Sequence, residues 1–228
     1  MLLLLVRHGT TALTGSTLTG RTPGVHLSEE GIRQAKGVAE RLSGLPVKAV
    51  YASPLERCQE TAEPIAAAHR QAIRTLDGVA EVDYGAWAGR TFKQLTRLKA
   101  WQELHARPAD FRFPGGESIR EAQTRGMAAV HDLAARHAKQ AVVVVSHADI
   151  IRLIVAGSLG MGLDLYQRVI VGVASVSAVA YGDRVPRLIR LSDTGSLEEL
   201  AERLKPRPED SAARTAKKKA AGGRAGSQ

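Results

Sequence analysis

Four basic side chains of this sequence stand just beyond short apolar runs: Arg7, His8, Arg57 and His147. A neutral imidazole is a nucleophile that is plentiful near pH 7. A guanidinium binds the oxygens of a phosphoryl group in a forked geometry that lysine cannot copy. These residue types suit phosphoryl transfer, although any one of them alone is as easily explained by a surface or packing role.

The segments that precede these side chains have the pattern of buried parallel strands. Leu2–Val6 and Ala141–Val145 are uninterrupted apolar runs of strand length, as in central strands that are covered on both faces. Ligands bind beyond the carboxyl ends of strands in open parallel sheets, so we expect the four side chains at one edge of the sheet. Gly9 would allow a sharp turn there and the close approach of a ligand.

Helix signals alternate with the strand signals, which predicts one α/β domain. Ser28 and Ser118 are predicted N-caps, the second with Glu121 in a capping box. Ser53 is a predicted N-cap too, with Pro54 at the first helical position. Arg57 would then lie one turn into that helix, near its positive end.

The composition bounds the class of protein. The chain has 228 residues and 44% hydrophobic content, which allows a full core. Only six residues precede Arg7, without a basic region before them, so we expect no signal peptide or membrane span and a cytoplasmic protein. The single Cys58 cannot form an internal disulfide, and no Cys/His cluster has metal-ligand spacing, so neither a disulfide nor a metal is expected. The absence of a glycine-rich nucleotide fingerprint predicts no cofactor.

The end of the chain carries much of its positive charge. Residues 205–228 contain seven Lys or Arg and two acids, which is +5 of the formal +9. This stretch has no large apolar residues, so we predict a domain over 1–204 and a disordered basic tail over 205–228. We interpret the tail as a solubilising extension. The alternative is a tether to nucleic acid or an anionic membrane, which would be weak at about 1 kcal/mol per basic residue near an anionic surface.

Two loops could complete a site. Thr10–Thr14 and Leu18–Arg21 come after His8 and are rich in hydroxyls, which can donate to a phosphate but are also common in ordinary turns. Further on, Glu81 and Asp83 lie two residues apart among small residues. Either carboxylate could be a general acid or base, and either could equally be a solvated loop acid.

Five blocks of sequence together carry a resemblance: Arg7-His8-Gly9, Ser53–Arg57 with Thr61, Glu81–Gly85 with Trp87 and Gly89, Pro114–Ser118, and Ser146-His147. They occur in the order found in the histidine phosphatase superfamily, the phosphoglycerate-mutase-like family. The chain resembles that family over roughly residues 1 to 195, and most of all its bacterial broad-specificity phosphatases and phosphomutases. The resemblance implies a three-layer α/β/α sandwich around a mostly parallel central sheet, with a cap over about residues 85–118.

The resemblance also implies a catalytic set: Arg7, His8, Arg57, Glu81 and His147. His8 would be the nucleophile, and Glu81 the acid–base residue with Asp83 as the alternative. His147, protonated beside the phosphate, would donate to it. We therefore expect a metal-independent phosphatase that hydrolyses a small phosphomonoester through a phosphohistidine. The alternatives are a phosphomutase with the same intermediate and, from another class, a non-catalytic binding protein that acts through its basic tail.

Substrate contacts are implied at eight further positions: Gly9, Thr10, Thr14, Thr19, Gly20, Arg21, Ser146 and Ala148. The match is imperfect, because many members have Glu at position 10, Asn at position 14 and Glu at position 88, where this chain has Thr, Thr and Ala. A leaving group would be contacted by the cap, on which five side chains stand out: Arg90, Trp101, His105, Arg112 and Phe113. The implied partner is a small phosphorylated metabolite, with no membrane and at most weak nucleic-acid contact through the tail.

Overall fold

The protein is described from a computed structural model, over residues 1–182 and 185–195. Met1–Thr194 form one compact unit. The predicted domain boundary at 204 and the predicted basic tail lie outside the described residues. No helix in the described ranges is long and apolar enough to cross a membrane.

Six strands in the described part of the chain form one mixed, mostly parallel sheet: β1 (Leu2–Arg7), β2 (Val47–Ala52), β3 (Ile73–Thr75), β4 (Ala141–Ser146), β5 (Val176–Ala180) and β6 (Arg187–Asp193). Their order is β3-β2-β4-β1-β5-β6. The first four are parallel, β5 pairs antiparallel with β1, and β6 pairs antiparallel with β5. The two uninterrupted apolar runs, β1 and β4, are adjacent in the middle, as predicted for buried strands.

The described ranges contain six α-helices: α1 (Glu29–Leu42), α2 (Glu56–His69), α3 (Phe92–Leu95), α4 (Lys99–Ala106), α5 (Ile119–Arg136) and α6 (Ala148–Ser158). Alternate residues of β1 point to opposite faces. Leu3 and Leu5 pack with residues of α5 and α6, whereas Leu4 and Val6 pack with residues of α1 and α2. Each face therefore has its own core, and the predicted three-layer sandwich is confirmed.

The predicted N-caps have mixed outcomes. Ser28 accepts a hydrogen bond from the N–H of Gly31, and Ser118 forms the predicted capping box with Glu121. The prediction for Ser53 was wrong: α2 begins at Glu56, after an N-cap residue that makes no side-chain cap bond. The Ser53 hydroxyl lies instead 2.7 Å from a ring nitrogen of His147, a contact that local sequence could not reveal.

Candidate active site

The sheet register places the two histidines side by side. Arg7 pairs with Ser146 at the parallel ends of β1 and β4, and the His8 N–H donates to the Ser146 carbonyl at 3.0 Å. The next residues of the two strands, His8 and His147, have ring centroids 5.2 Å apart. The predicted meeting of these strand ends is confirmed.

Glycine at position 9 allows a close approach, but of protein backbone. A Cβ on Gly9 would lie 2.6 Å from the carbonyl oxygen of Gly31 at the start of α1. The Gly9 N–H donates to the Thr61 hydroxyl of α2 at 3.1 Å, and that hydroxyl donates to the Arg57 carbonyl at 2.7 Å. Gly9 thus lets the turn after β1 pack directly against both helices of one face.

His8 is in the state that a nucleophile requires. Its Nδ1 lies 2.7 Å from the carbonyl oxygen of Gly9. A carbonyl can only accept, so Nδ1 carries the proton and Nε2 keeps its lone pair. Burial, together with the positive charge of Arg57 and Arg7, lowers the pKa of His8 to about 3, so the imidazole is neutral at physiological pH.

Two arginines beside His8 have buried N–H groups without a partner among the described residues. Arg7 donates from Nη1 to the Val171 carbonyl at 2.7 Å, but its Nε has no acceptor. Arg57 is 1% exposed and donates from Nη2 to the Gly20 carbonyl at 2.7 Å, whereas its Nε and Nη1 have no acceptor. Buried donors are rarely left unpaired, so this cluster of unsatisfied positive charge is suited to an anion.

His147 lies behind the cavity wall. It is fully buried, its Nε2 lies 2.7 Å from the Ser53 hydroxyl, and its Nδ1 lies 3.2 Å from Nη2 of Arg57. Because a guanidinium can only donate, Nδ1 is the acceptor and Nε2 carries the proton. Burial, together with the positive charge of Arg57, holds the pKa of His147 well below its usual range. In this state it is neutral and links Arg57 to Ser53, whereas the sequence led us to expect a protonated donor facing the phosphate.

Of the two candidate loop carboxyls, Glu81 is the one that lines the cavity. It is 8% exposed, and its Oε1 accepts the N–H of Val82 at 3.0 Å. Burial and the neighbouring charge of Asp149 raise the pKa of Glu81 to about 7. The alternative carboxyl, Asp83, is not among the residues that line the cavity, and its Oδ1 accepts the N–H of Gly85 at 3.0 Å.

A cavity of about 460 Å³ extends from His8 to the cap, a volume within the range of small-molecule sites. Its walls come from the strand ends, the loop after β1, the start of α6 and the cap. They include Arg7, His8, Thr11, Thr14, Thr17, Thr19, Gly20, Glu81, Tyr84, Phe92, Trp101, His105, Ala148, Asp149, Arg152, Tyr166 and Gln167.

The eight predicted substrate contacts divide equally. Four line the cavity: Thr14, Thr19, Gly20 and Ala148. The other four, Gly9, Thr10, Arg21 and Ser146, do not. Thr10 donates from both its N–H and its hydroxyl to Gln34 of α1. Ser146 is fully buried and donates to the Val79 carbonyl at 2.7 Å, and Arg21 donates from Nε to the Glu81 carbonyl at 2.8 Å.

Sequence analysis did not identify Asp149 and Arg152, two charged residues that line the cavity. Asp149, in the first turn of α6, accepts from the Tyr84 hydroxyl at 2.7 Å and from Nη1 of Arg152 at 2.8 Å. Burial and the charge of Asp149 raise the pKa of Tyr84, so the phenol stays a donor. The spacing of Asp149 and Arg152, one turn apart directly after Ser146-His147, could have pointed to this pair.

Of the five cap residues singled out in the sequence, two line the cavity and three do not. Trp101 and His105 line the cavity, and their rings are 4.7 Å apart. Phe113 is buried between Tyr84 and Trp87 in an aromatic cluster. Arg112 pairs with Glu121 at the surface, and neither it nor Arg90 lines the cavity.

The donor set of the site does not resemble a metal centre. Over residues 1–182 and 185–195, no group of three or more His, Cys, Asp or Glu side chains could hold a metal ion. Cys58, next to His147, is fully buried, and burial raises the pKa of its thiol, which is typical of a packing residue rather than a reactive thiol.

Known proteins share this fold and length. Phosphoserine phosphatase 1 from Hydrogenobacter thermophilus is 32% identical over 205 residues, which cover 86% of this chain and 94% of that protein. Probable phosphoglycerate mutase GpmB from Proteus mirabilis is 31% identical over 179 residues, 78% of this chain and 83% of that protein. Among solved structures, phosphoserine phosphatase from Entamoeba histolytica, in complex with 3-phosphoglyceric acid, has a TM-score of 0.76 at 27% identity. That match covers 84% of this chain and 96% of the other.

A family model agrees with these relatives and with the order of the five sequence blocks. The model of the histidine phosphatase superfamily (branch 1) matches residues 3–194. This range contains the whole compact unit except its first two residues, and it includes every residue of the cavity wall. The chain belongs to branch 1 of the histidine phosphatase superfamily.

Proposed function

We propose that this enzyme is a metal-independent phosphatase that hydrolyses a small phosphomonoester through a phosphohistidine on His8. The observation that carries the proposal is a neutral His8 that is influenced by the charges of two arginines, Arg7 and Arg57, whose buried N–H groups are partly without an acceptor among the described residues. A nucleophile next to preorganised positive charge is the arrangement that phosphoryl transfer requires.

The first step forms a P–N bond and breaks a P–O bond. The Nε2 lone pair of His8 attacks phosphorus, and the bond to the leaving alcohol oxygen breaks with its electron pair. Glu81 donates its proton to that oxygen. The pKa of Glu81, raised to about 7, supports this role because a substantial share of the carboxyl is protonated at neutral pH.

The second step reverses the role of Glu81. Water attacks the phosphohistidine, the P–N bond breaks, and the Glu81 carboxylate accepts a proton from the water. The enzyme then returns to its starting state with neutral His8 and protonated Glu81. Arg7 and Arg57 stay charged throughout, and they stabilise the phosphoryl oxygens while bond order changes at phosphorus.

Two observations favour hydrolysis over mutase chemistry. Only residues 82–113 separate Glu81 from the Pro114–Ser118 block, which leaves little chain for a cap that excludes water. His105 lines the cavity and is nevertheless exposed, so water reaches the cap side of the site.

The relatives also suggest which substrates to test first. The phosphatases from H. thermophilus and E. histolytica act on phosphoserine by name, which makes phosphorylated carboxylic acids the first substrates to test.

The experiment is intact-protein mass spectrometry after rapid quenching at neutral or alkaline pH, with wild type and His8→Ala. The panel holds phosphoserine, 3-phosphoglycerate and a sugar phosphate. We expect a one-phosphoryl adduct in the wild type alone, accompanied by free phosphate. Mutase turnover without phosphate release would replace the phosphatase with the phosphomutase. If neither protein forms an adduct or releases phosphate, the proposal is wrong and the basic tail becomes the part to study.

A further inference from the structure

The loop that carries Glu81 is held by a charged cluster outside the cavity, formed by Arg21, Glu117 and Arg125. None of the three lines the cavity. They come from distant parts of the sequence: the loop after β1, the residue before the N-cap of α5, and the second turn of α5. We call them the loop clamp.

Arg125 binds the loop through its main chain. Its Nη1 donates to the carbonyls of Gly78 at 2.9 Å and Ala80 at 3.0 Å, and its Nη2 lies 3.5 Å from the carbonyl of Glu81. Arg21 donates from Nε to that same Glu81 carbonyl at 2.8 Å. The main chain just before Glu81 and at Glu81 itself is therefore held by two guanidinium groups.

Glu117 ties the two arginines together and reaches the other side of Glu81. Its Oε1 accepts from Nη2 of Arg125 at 2.7 Å, from Nη2 of Arg21 at 3.1 Å and from the N–H of Asp83 at 2.9 Å. The Glu117 side chain is only 15% exposed, so these charge-assisted bonds are shielded from solvent and stronger than surface pairs.

Glycine at position 116 lets the backbone before α5 come close to the loop that carries Glu81. A Cβ on Gly116 would lie 2.2 Å from the carbonyl oxygen of Asp83. With no Cβ there, the backbone before α5 packs against the loop, and the N–H of Glu117 donates to that Asp83 carbonyl at 3.0 Å. The clamp therefore fixes the backbone on both sides of Glu81.

We propose that Arg125, together with Glu117 and Arg21, is a positioning residue that sets where the Glu81 carboxyl stands in the cavity. The inference rests on the proposed function, in which Glu81 is the acid. It gives Arg21 a role in positioning Glu81, in place of the substrate contact that the resemblance implied. A displacement of about 1 Å at a reacting group costs about a hundredfold in rate, so loss of the clamp has a measurable effect on proton transfer.

The test uses two substrates that differ in their need for an acid. The oxygen that leaves glycerol 3-phosphate is an alkoxide and requires a proton, whereas p-nitrophenolate leaves without one. For Arg125→Met we expect kcat/KM to fall about a hundredfold with glycerol 3-phosphate and less than about tenfold with p-nitrophenyl phosphate. A general loss of folded enzyme would lower both values equally.

Three further variants complete the experiment. Glu81→Gln defines the full effect of losing the acid, with the same substrate dependence. Glu117→Gln keeps the shape of the side chain and tests the clamp if Arg125→Met folds poorly. Arg120→Met is the matched control, because Arg120 is an exposed arginine of the same helix. Inhibition by inorganic phosphate should stay unchanged in the clamp variants, since Arg7 and Arg57 are untouched.

The outcomes separate the two proposals. If Glu81→Gln affects the two substrates equally, Glu81 is not the acid, and both the proposed mechanism and the positioning role are wrong. If Glu81→Gln discriminates between the substrates but Arg125→Met and Glu117→Gln do not, the proposed function stands and the positioning inference is overturned. Discrimination in all three, with Arg120→Met like the wild type, supports both.

Discussion

The two ends of the cavity are built in different ways. Behind the wall at the sheet end, Arg57 and His147 are 1% and 0% exposed, and the parallel register of β1 and β4 fixes His8 beside His147. At the cap end, Trp101 and His105 lie on α4, a helix of eight residues, and Trp101 is held by aromatic neighbours at 4.7 to 6.2 Å.

In the proposed mechanism, this difference places the chemistry at one end and selectivity at the other. Preorganised charge needs rigid support, since it acts without reorganising during the reaction. Side chains that contact a leaving group tolerate a less rigid frame, because they contribute to binding rather than to bond cleavage. Substitutions at the sheet end should therefore change kcat, whereas those at the cap should change KM and substrate preference.

Replacing the histidine at each end gives the largest contrast. His8→Ala should remove nearly all turnover, because the covalent route is lost, whereas His105→Ala should retain most of kcat. Both are measured by steady-state phosphate release with the best substrate of the panel. Equal losses in the two variants would break the proposed division between chemistry and selectivity.

The next largest effect is expected from substitution of Arg57. Arg57→Ala should lower kcat/KM by about two to four powers of ten, as expected for a preorganised donor of charge. Arg57→Lys should recover little, since an ammonium cannot copy the forked geometry of a guanidinium. Arg97, an exposed cap arginine, is the control, and Arg97→Ala should match the wild type. Full activity in Arg57→Lys would show that charge alone suffices.

The pH profile should show a moderate effect that belongs to the sheet end. Because the pKa of Glu81 is raised to about 7, its acid form is lost as the pH rises through that value. For an alkyl phosphate, kcat/KM should fall about tenfold per pH unit well above pH 7. Below pH 7 the carboxyl is protonated, and the pKa of His8, about 3, keeps that nucleophile neutral.

Glu81→Gln is the control for this profile. The variant should be slower and should lose the decline above pH 7. The second ionisation of the substrate phosphate, near pH 6, affects both proteins alike, so the difference between their profiles isolates Glu81. A wild-type profile that stays level to pH 9 would contradict the assignment of Glu81 as the acid.

The sequence predicted the sheet end better than the cap end for a physical reason. Buried parallel strands are continuous apolar runs, and the residues at their carboxyl ends must meet at one edge of the sheet, so β1 and β4 located Arg7, His8 and His147. The prediction that Ser53 caps a helix was wrong because it rested on local sequence, whereas the Ser53 hydroxyl bonds to His147, 94 residues away. Tertiary contact overrode local preference there.

Other parts of the site depend on contacts between distant segments of the sequence. Arg125 contacts the Gly78 carbonyl across 47 residues of sequence, and an arginine on a helix face is most often solvated. The spacing of Asp149 and Arg152 predicts two side chains on one face of a helix, and only the docking of α6 beside Tyr84 brings them to the cavity. The neutral state of His147 depends on burial, which spacing in a sequence does not reveal.

The smallest effect is expected from the cap. Trp101→Ala removes the ring that lies between the leaving-group side of the cavity and Trp87 behind it. Because this ring packs with Trp87, Phe92 and His105 rather than forming part of the proposed reacting set, kcat/KM should change by less than about tenfold. The change should be in KM rather than kcat, and it should differ between phosphoserine and p-nitrophenyl phosphate. A uniform loss in kcat for both substrates would mean that the cap supports the reacting groups, and the two ends would then work as one.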